Sequence, residues 1–128
     1  MIKDLQLRHS QTTEGIFIDL FDSGQDDFQV EKVYLTTMAP NARKGPIVHK
    51  QRVTRLSVVQ GCVYVTWPDG RTIIEPGTMI EIPPGIPVEY FNASALEHAI
   101  LACLANMSYD AEESIKYNGW DDYQQAQT

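Results

Sequence analysis

A chain of 128 residues with 43% hydrophobic and 21% charged residues can bury one core without disulfides or metal staples. Its formal net charge of −7 argues against a nucleic-acid partner, because such binders present a basic face. The apolar runs are too short to span a bilayer and the opening MIKDLQLRHSQ has no signal-peptide pattern, so no membrane partner and a cytoplasmic location are expected.

From the N-terminus onward the chain reads as short strands cut by turn residues. Positions 1–29 are expected to hold N-terminal strands, with 15–21 the clearest, and the acidic tract over 19–31 fits a loop or a barrel rim. Strands are then predicted at 30–38, 46–49, 53–59, 62–67, 71–74, 79–82, 87–92 and 97–104. These stretches are rich in Val, Ile, Thr and Tyr and are bounded by Gly, Pro, Asn and Asp. Trp67-Pro68-Asp69-Gly70-Arg71 has the composition of a hairpin turn, and Trp67 beside it is read as packing. Pro76-Gly77 and Pro83-Pro84-Gly85 mark two more tight turns. After Tyr109, Asp110 followed by Glu113 forms a capping-box pattern, and Gly119 stands where an αL residue ends a helix. A helix is therefore predicted over about 110–118. No repeat or linker interrupts the pattern, so one domain is expected over 1–128, with its core barrel at about 30–105.

Cys62 and Cys103 lie in apolar runs without a second Cys or a His at ligand spacing, and are read as buried free thiols. Charge is unevenly placed. Lys32, Arg43, Lys44, Lys50, Arg52 and Arg55 fall in a stretch that contains no acid, a pattern that suits a small anionic ligand or a solvated strand face.

One motif decides the fold class. Gly77, Pro83, Gly85 and Asn92 match the fixed positions of the second cupin motif, G-x5-P-x-G-x2-H-x3-N, with Val88 at the histidine position. Around the first motif, His49 stands for its second histidine and Gly61 for its closing glycine, while Ile47 and Thr54 occupy the other ligand positions. The chain thus resembles the cupins. That resemblance implies an all-β fold, a double-stranded β-helix (jelly-roll barrel), here with one short C-terminal helix. Three of the four usual metal ligands are replaced by Ile47, Thr54 and Val88, and one imidazole does not hold a Zn, Fe, Mn or Ni ion. His9 and His98 fall outside the ligand positions. No metal and no other cofactor are expected.

Within the cupins the chain resembles the nucleotide-sugar branch of dTDP-4-dehydrorhamnose 3,5-epimerases and dTDP-4-keto-6-deoxyglucose 3,4-ketoisomerases. The likeness rests on Val33-Tyr34, Arg43-Lys44-Gly45, His49-Lys50, the apolar strand closing at Gly61, Pro83-Pro84-Gly85, Tyr109 with its acid-rich sequel, and Trp120. It implies a nucleotide-sugar ligand and a reaction in which a His removes a proton beside a ketone while a Tyr returns one. Carried over by position, His49, Tyr109 and Tyr34 become the catalytic candidates, and Arg43, Lys44, Arg52, Arg55, Glu89 and Asn92 the substrate-binding ones. The arginines are favoured for a diphosphate because a planar guanidinium matches phosphate oxygens bidentately. Each has a structural alternative: a hydrogen-bonded core His, packed tyrosines, a solvated arginine, an Asn that holds the corner. A metal-independent isomerase or epimerase is therefore weighed against a cupin that binds an anionic, sugar-nucleotide or apolar ligand without chemistry, and against an assembly subunit. The family resemblance, with strand 15–21 lent to a neighbour, implies a homodimer.

Overall fold

The computed structural model describes residues 1–128. Twelve strands precede one helix: β1 (Lys3–Gln6), β2 (Arg8–Thr12), β3 (Gly15–Asp19), β4 (Lys32–Met38), β5 (Arg43–His49), β6 (Thr54–Gln60), β7 (Val63–Trp67), β8 (Gly70–Ile74), β9 (Thr78–Ile82), β10 (Val88–Asn92), β11 (Ala99–Ala105), β12 (Ser114–Lys116) and α1 (Gly119–Ala126). Two five-stranded sheets face each other, in the orders β1-β9-β6-β11-β4 and β12-β5-β10-β7-β8, while β2 and β3 form a separate ribbon. This is the jelly-roll barrel that the motifs predict.

Period-two alternation builds the core. Leu56, Val58, Ile80, Ile82 and Leu101 of the first sheet meet Val63, Val65, Ile74 and Val88 of the second in one buried cluster. The outer face of the first sheet is covered around the start of β6 by the acidic tract. Asp26 pairs with Arg55, and Phe28 lies under its guanidinium at 4.2 Å. The tract is therefore an outer cover of that sheet rather than a barrel rim.

Three turns shape the barrel. Asn92 holds the corner between β10 and β11, its Nδ2 donating to the carbonyls of Met38 (3.1 Å), Ala39 (3.2 Å) and Glu97 (2.9 Å). The Gly85 N–H donates to the His49 carbonyl at 2.8 Å, which ties the Pro-Pro-Gly corner to the end of β5. At Gly77 (φ 92°) the ribbon docks, His9 Nε2 lying 3.1 Å from the Gly77 carbonyl.

The C-terminal region departs from expectation. No helix spans 110–118: Asp110 accepts from the Glu112 N–H at 3.0 Å, but the turn ends at Glu113 and the chain becomes β12, paired with β5. The edge of β5 offers unpaired backbone groups that a β-branched Ile115 satisfies, and this tertiary pairing overrides the capping pattern. Gly119 opens the helix instead of closing one, and Asp121 and Asp122 occupy the favourable first turn. The strands expected over 1–29 are β1, β2 and β3, although β2 has no apolar period, since it reads Arg-His-Ser-Gln-Thr and is exposed throughout. Cys103 is buried as expected, whereas Cys62 is only partly so, and both are free thiols.

Candidate functional site

A cavity of about 110 Å³ lies between the two sheets. From the first sheet come Tyr34, Thr36 and Met38 of β4, Leu56 of β6, and Leu101 and Cys103 of β11; from the second come Lys44, Ile47 and His49 of β5, and Tyr90 of β10. Strand alternation explains most of the set, since Tyr34, Thr36 and Met38 are every second residue. Lys44 and Ile47, three apart, would fall on opposite faces of a regular strand.

A β-bulge brings them together. Val88 opposes Ile47, but Tyr90 opposes Lys44, so two steps on β10 span three on β5. Gly45 supplies the bulge at φ 98°, where a Cβ would stand 2.8 Å from both the Ile47 nitrogen and the Val88 oxygen. Lys44 thereby points inward, and its Nζ donates to Thr36 Oγ1 at 3.1 Å.

His49 forms a dyad with Glu113. Its Nδ1 lies 2.7 Å from Glu113 Oε1, while Oε2 accepts the backbone N–H of Arg52 at 3.0 Å and of Gln51 at 3.2 Å. Burial pushes the Glu113 carboxyl up, but the hydrogen bond to His49 and the two N–H groups outweigh it and hold its pKa below the ordinary value. An ionised carboxylate only accepts, so Nδ1 carries the proton and the free lone pair of neutral His49 resides on Nε2. β12 places the carboxylate: Ser114 pairs with His49, and the Glu113 carbonyl accepts from the Lys50 N–H at 2.7 Å.

Beside the dyad, Arg52 donates through Nε to Thr54 Oγ1 (3.0 Å) and through Nη2 to the Tyr34 hydroxyl. Burial raises the Tyr34 pKa, as does neighbouring Cys103, against the opposing pull of Arg52, so the phenol stays protonated. Burial likewise raises Cys103 and keeps it a neutral thiol. Neither Lys44 nor Arg52 makes an ion pair with a carboxylate. The polar lining of the cavity combines one lysine, Lys44, with Tyr34, Thr36, His49 and Tyr90. It suits an oxyanion held next to a base whose conjugate acid Glu113 stabilises.

The donor set does not fit a cupin metal. Ile47, Thr54 and Val88 stand at the ligand positions, and no group of three or more His, Cys, Asp or Glu side chains is close enough to hold an ion.

The structure therefore gathers His49, Tyr34, Lys44 and Arg52, and leaves the other candidates elsewhere. Tyr109 is 74% exposed, with Lys32 above its ring at 5.4 Å. Arg43 and Glu89 pair with each other at 3.0 Å on the outer face of the second sheet, where Arg43 also stacks on Phe91. Arg55 is engaged by Asp26 and Glu81 on the outer side of the first sheet. Asn92 has its amide fully used at the corner. The basic island is divided because neighbouring strand residues point to opposite faces.

Glu113 and Tyr90 join the site without having been singled out for it. Glu113 had been assigned to a cap. Tyr90 was legible from alternation, since it lies two residues from both Val88 and Asn92 and so shares their inward face.

Residues 2–127 match the family described as FdtA, WxcM-like, C-terminal. Among curated proteins no significant sequence match was found. Solved structures of the same fold include QdtA, a sugar 3,4-ketoisomerase from Thermoanaerobacterium thermosaccharolyticum in complex with TDP. It shows a TM-score of 0.78 and 21% identity over 98% of this chain and 93% of that one. The WlaRB TDP-quinovose 3,4-ketoisomerase from Campylobacter jejuni has a TM-score of 0.80 and 24% identity, covering 97% of each chain. The dTDP-6-deoxy-D-glucose-3,5-epimerase RmlC from Legionella pneumophila has a TM-score of 0.80 and 16% identity, over 94% of this chain and 74% of its own. Likeness at these identities establishes the fold.

Proposed function

This chain belongs to the FdtA family, WxcM-like, C-terminal, and from that premise we propose that it isomerises or epimerises a nucleotide-linked 4-keto-6-deoxy sugar by metal-independent proton abstraction next to the ketone. The observation that carries the reading is the His49–Glu113 dyad beside a cavity that Lys44 lines without a carboxylate partner, with Arg52 held behind Tyr34. A ketone acidifies the neighbouring C–H. Nε2 of His49 takes that proton as the pair of electrons moves into an enolate, and Glu113 stabilises the imidazolium that forms. Lys44 stabilises the enolate oxygen, and the Tyr34 hydroxyl, held by Arg52, returns a proton. Neighbours of the same fold, a sugar 3,4-ketoisomerase in complex with TDP and a TDP-quinovose 3,4-ketoisomerase, support the choice of substrate class.

The cavity is smaller than the about 300–1,000 Å³ of typical ligand pockets, so it admits the reacting part of the sugar and leaves the nucleotide outside. A homodimer accompanies this reading. The β4 edge exposes Val33 (64%) and Leu35 (67%), and the ribbon exposes Ile16 and Phe17, apolar surface that a second copy would cover.

The test is incubation with dTDP-4-keto-6-deoxyglucose in heavy water, followed by NMR of the sugar. Protein-dependent deuterium at the carbon beside the ketone, lost in His49→Asn with the fold intact, is the expected result. Its position separates ketoisomerase from epimerase chemistry. No exchange, together with stabilisation by dTDP, would replace the enzyme by a nucleotide-binding cupin.

A further inference from the structure

Tyr90 is a polar residue in the cavity that the chain itself leaves unused. It is pinned from both sides, opposite Lys44 of β5 and Val65 of β7. Its hydroxyl makes no hydrogen bond within the protein, whereas the other inward polar groups have partners. Asn92 binds three carbonyls, Thr54 accepts from Arg52, and Lys44 donates to Thr36. Nor is the Tyr90 oxygen sealed by packing: the one sealed side-chain oxygen without a partner is Thr66 Oγ1, on the other side of the sheet. Tyr90 therefore presents a free phenol to the cavity. A phenylalanine would fill the same space without desolvating a hydroxyl.

We propose that Tyr90 contacts the substrate, its hydroxyl donating a hydrogen bond to the ketone oxygen of the sugar and then to the enolate oxygen. The assignment rests on the enolising reading above. Three features of the cavity support it. Lys44, the register partner of Tyr90, projects from the same sheet face, so a cation and a neutral donor stand side by side for one oxyanion. Met38, Ile47, Leu56 and Leu101 make the rest of the wall apolar, where a donor acts more strongly than in water. Burial, reinforced by Cys103 and Tyr34, raises the Tyr90 pKa, so the group remains a donor and is no base. No bond is formed or broken by Tyr90. The protons that move are the one taken by His49 and the one returned by Tyr34.

The experiment compares the native protein with Tyr90→Phe. The variant is expected to melt at the same temperature or higher, to bind dTDP unchanged, and to lose about 10²–10³-fold in kcat with little change in KM, as on removal of one oxyanion donor. A kcat within about threefold of native, or a melting temperature lowered by more than about 5 °C because the hydroxyl had an internal partner, overturns the proposal. If the native protein exchanges no deuterium, the enolising reading fails on its own, and calorimetry then decides on Tyr90. Tighter binding of dTDP-4-keto-6-deoxyglucose than of dTDP, reduced about tenfold in Tyr90→Phe, keeps the contact. Equal affinities in the two proteins remove it.

Discussion

Replacing Glu113 by Gln removes a charge at constant volume and tests whether this carboxylate positions His49. In the native protein it accepts from His49 Nδ1 at 2.7 Å, from the Arg52 N–H at 3.0 Å and from the Gln51 N–H at 3.2 Å, and its side chain is only 6% exposed. An amide brings one accepting oxygen and one donating nitrogen to these three donors. With the oxygen kept on His49, the NH2 group faces two backbone N–H groups, which cannot rearrange because β12 and β5 fix them. With the amide turned, the NH2 faces Nδ1, which must now accept, and the ring proton moves to Nε2. That is the atom required to take the substrate proton. Because the imidazole can change tautomer and the backbone cannot invert a donor, the second arrangement prevails. The expected loss is about 10²–10⁴-fold in kcat, with a stability loss of about 1–2 kcal/mol from the missing charge assistance. Rate against pH and ¹⁵N shifts of His49 provide the assay: the native ring carries its proton on Nδ1, the variant on Nε2, and Glu113→Asp recovers part of the rate. A variant with kcat within about threefold of native and an unchanged tautomer refutes the reasoning.

Gly45→Ala sets a Cβ 2.8 Å from Ile47 N and Val88 O at a φ of 98°, so urea unfolding is expected to show a loss of about 2 kcal/mol or more. The same variant loses deuterium exchange, because the bulge aims Lys44. Asp26 is held below the ordinary carboxylate range by its hydrogen bond with Arg55, and Glu113 is also depressed. Both folded values lie under the unfolded ones, so their stabilisation is complete above about pH 4–5 and drains away as pH falls through the folded values. Urea midpoints measured from pH 7 to 3 check this, and Glu113→Gln flattens the acid limb. Arg52→Gln is expected to weaken dTDP-sugar binding about tenfold with little change in the urea midpoint. Arg55→Gln instead leaves Asp26 unpaired and Glu81 with Lys3 alone, and is expected to cost about 2 kcal/mol of stability while affinity is kept.

The strand content and the barrel were legible because their signals are local. Val63 and Val65 alternate with polar neighbours, and Gly77, Pro83 and Gly85 announce their turns by backbone chemistry that acts over a few residues. Where local signals are weak the reading lost precision: the bounds of β2, polar on both faces, were not legible within 1–29, and β12 was not expected because it exists through pairing with the open edge of β5. The capping pattern at Asp110 and Glu113 was genuine in composition, but the carboxylate found stronger partners in His49 and two backbone N–H groups.

For the site, motif spacing in the sequence singled out His49 and the non-ligating Ile47, Thr54 and Val88, because that information is carried by residue positions along the chain. The sequence also holds a basic island, which is a property of chain order. Tertiary structure divided the island: pleating sends Arg43 outward, the Gly45 bulge turns Lys44 inward, and Asp26 with Glu81 holds Arg55 on the far side of the first sheet. It likewise joined His49 to Glu113, 64 positions apart. Alternation and turn chemistry are written in neighbouring residues, whereas which side chains meet across the barrel depends on register and edge pairing between strands distant in the chain.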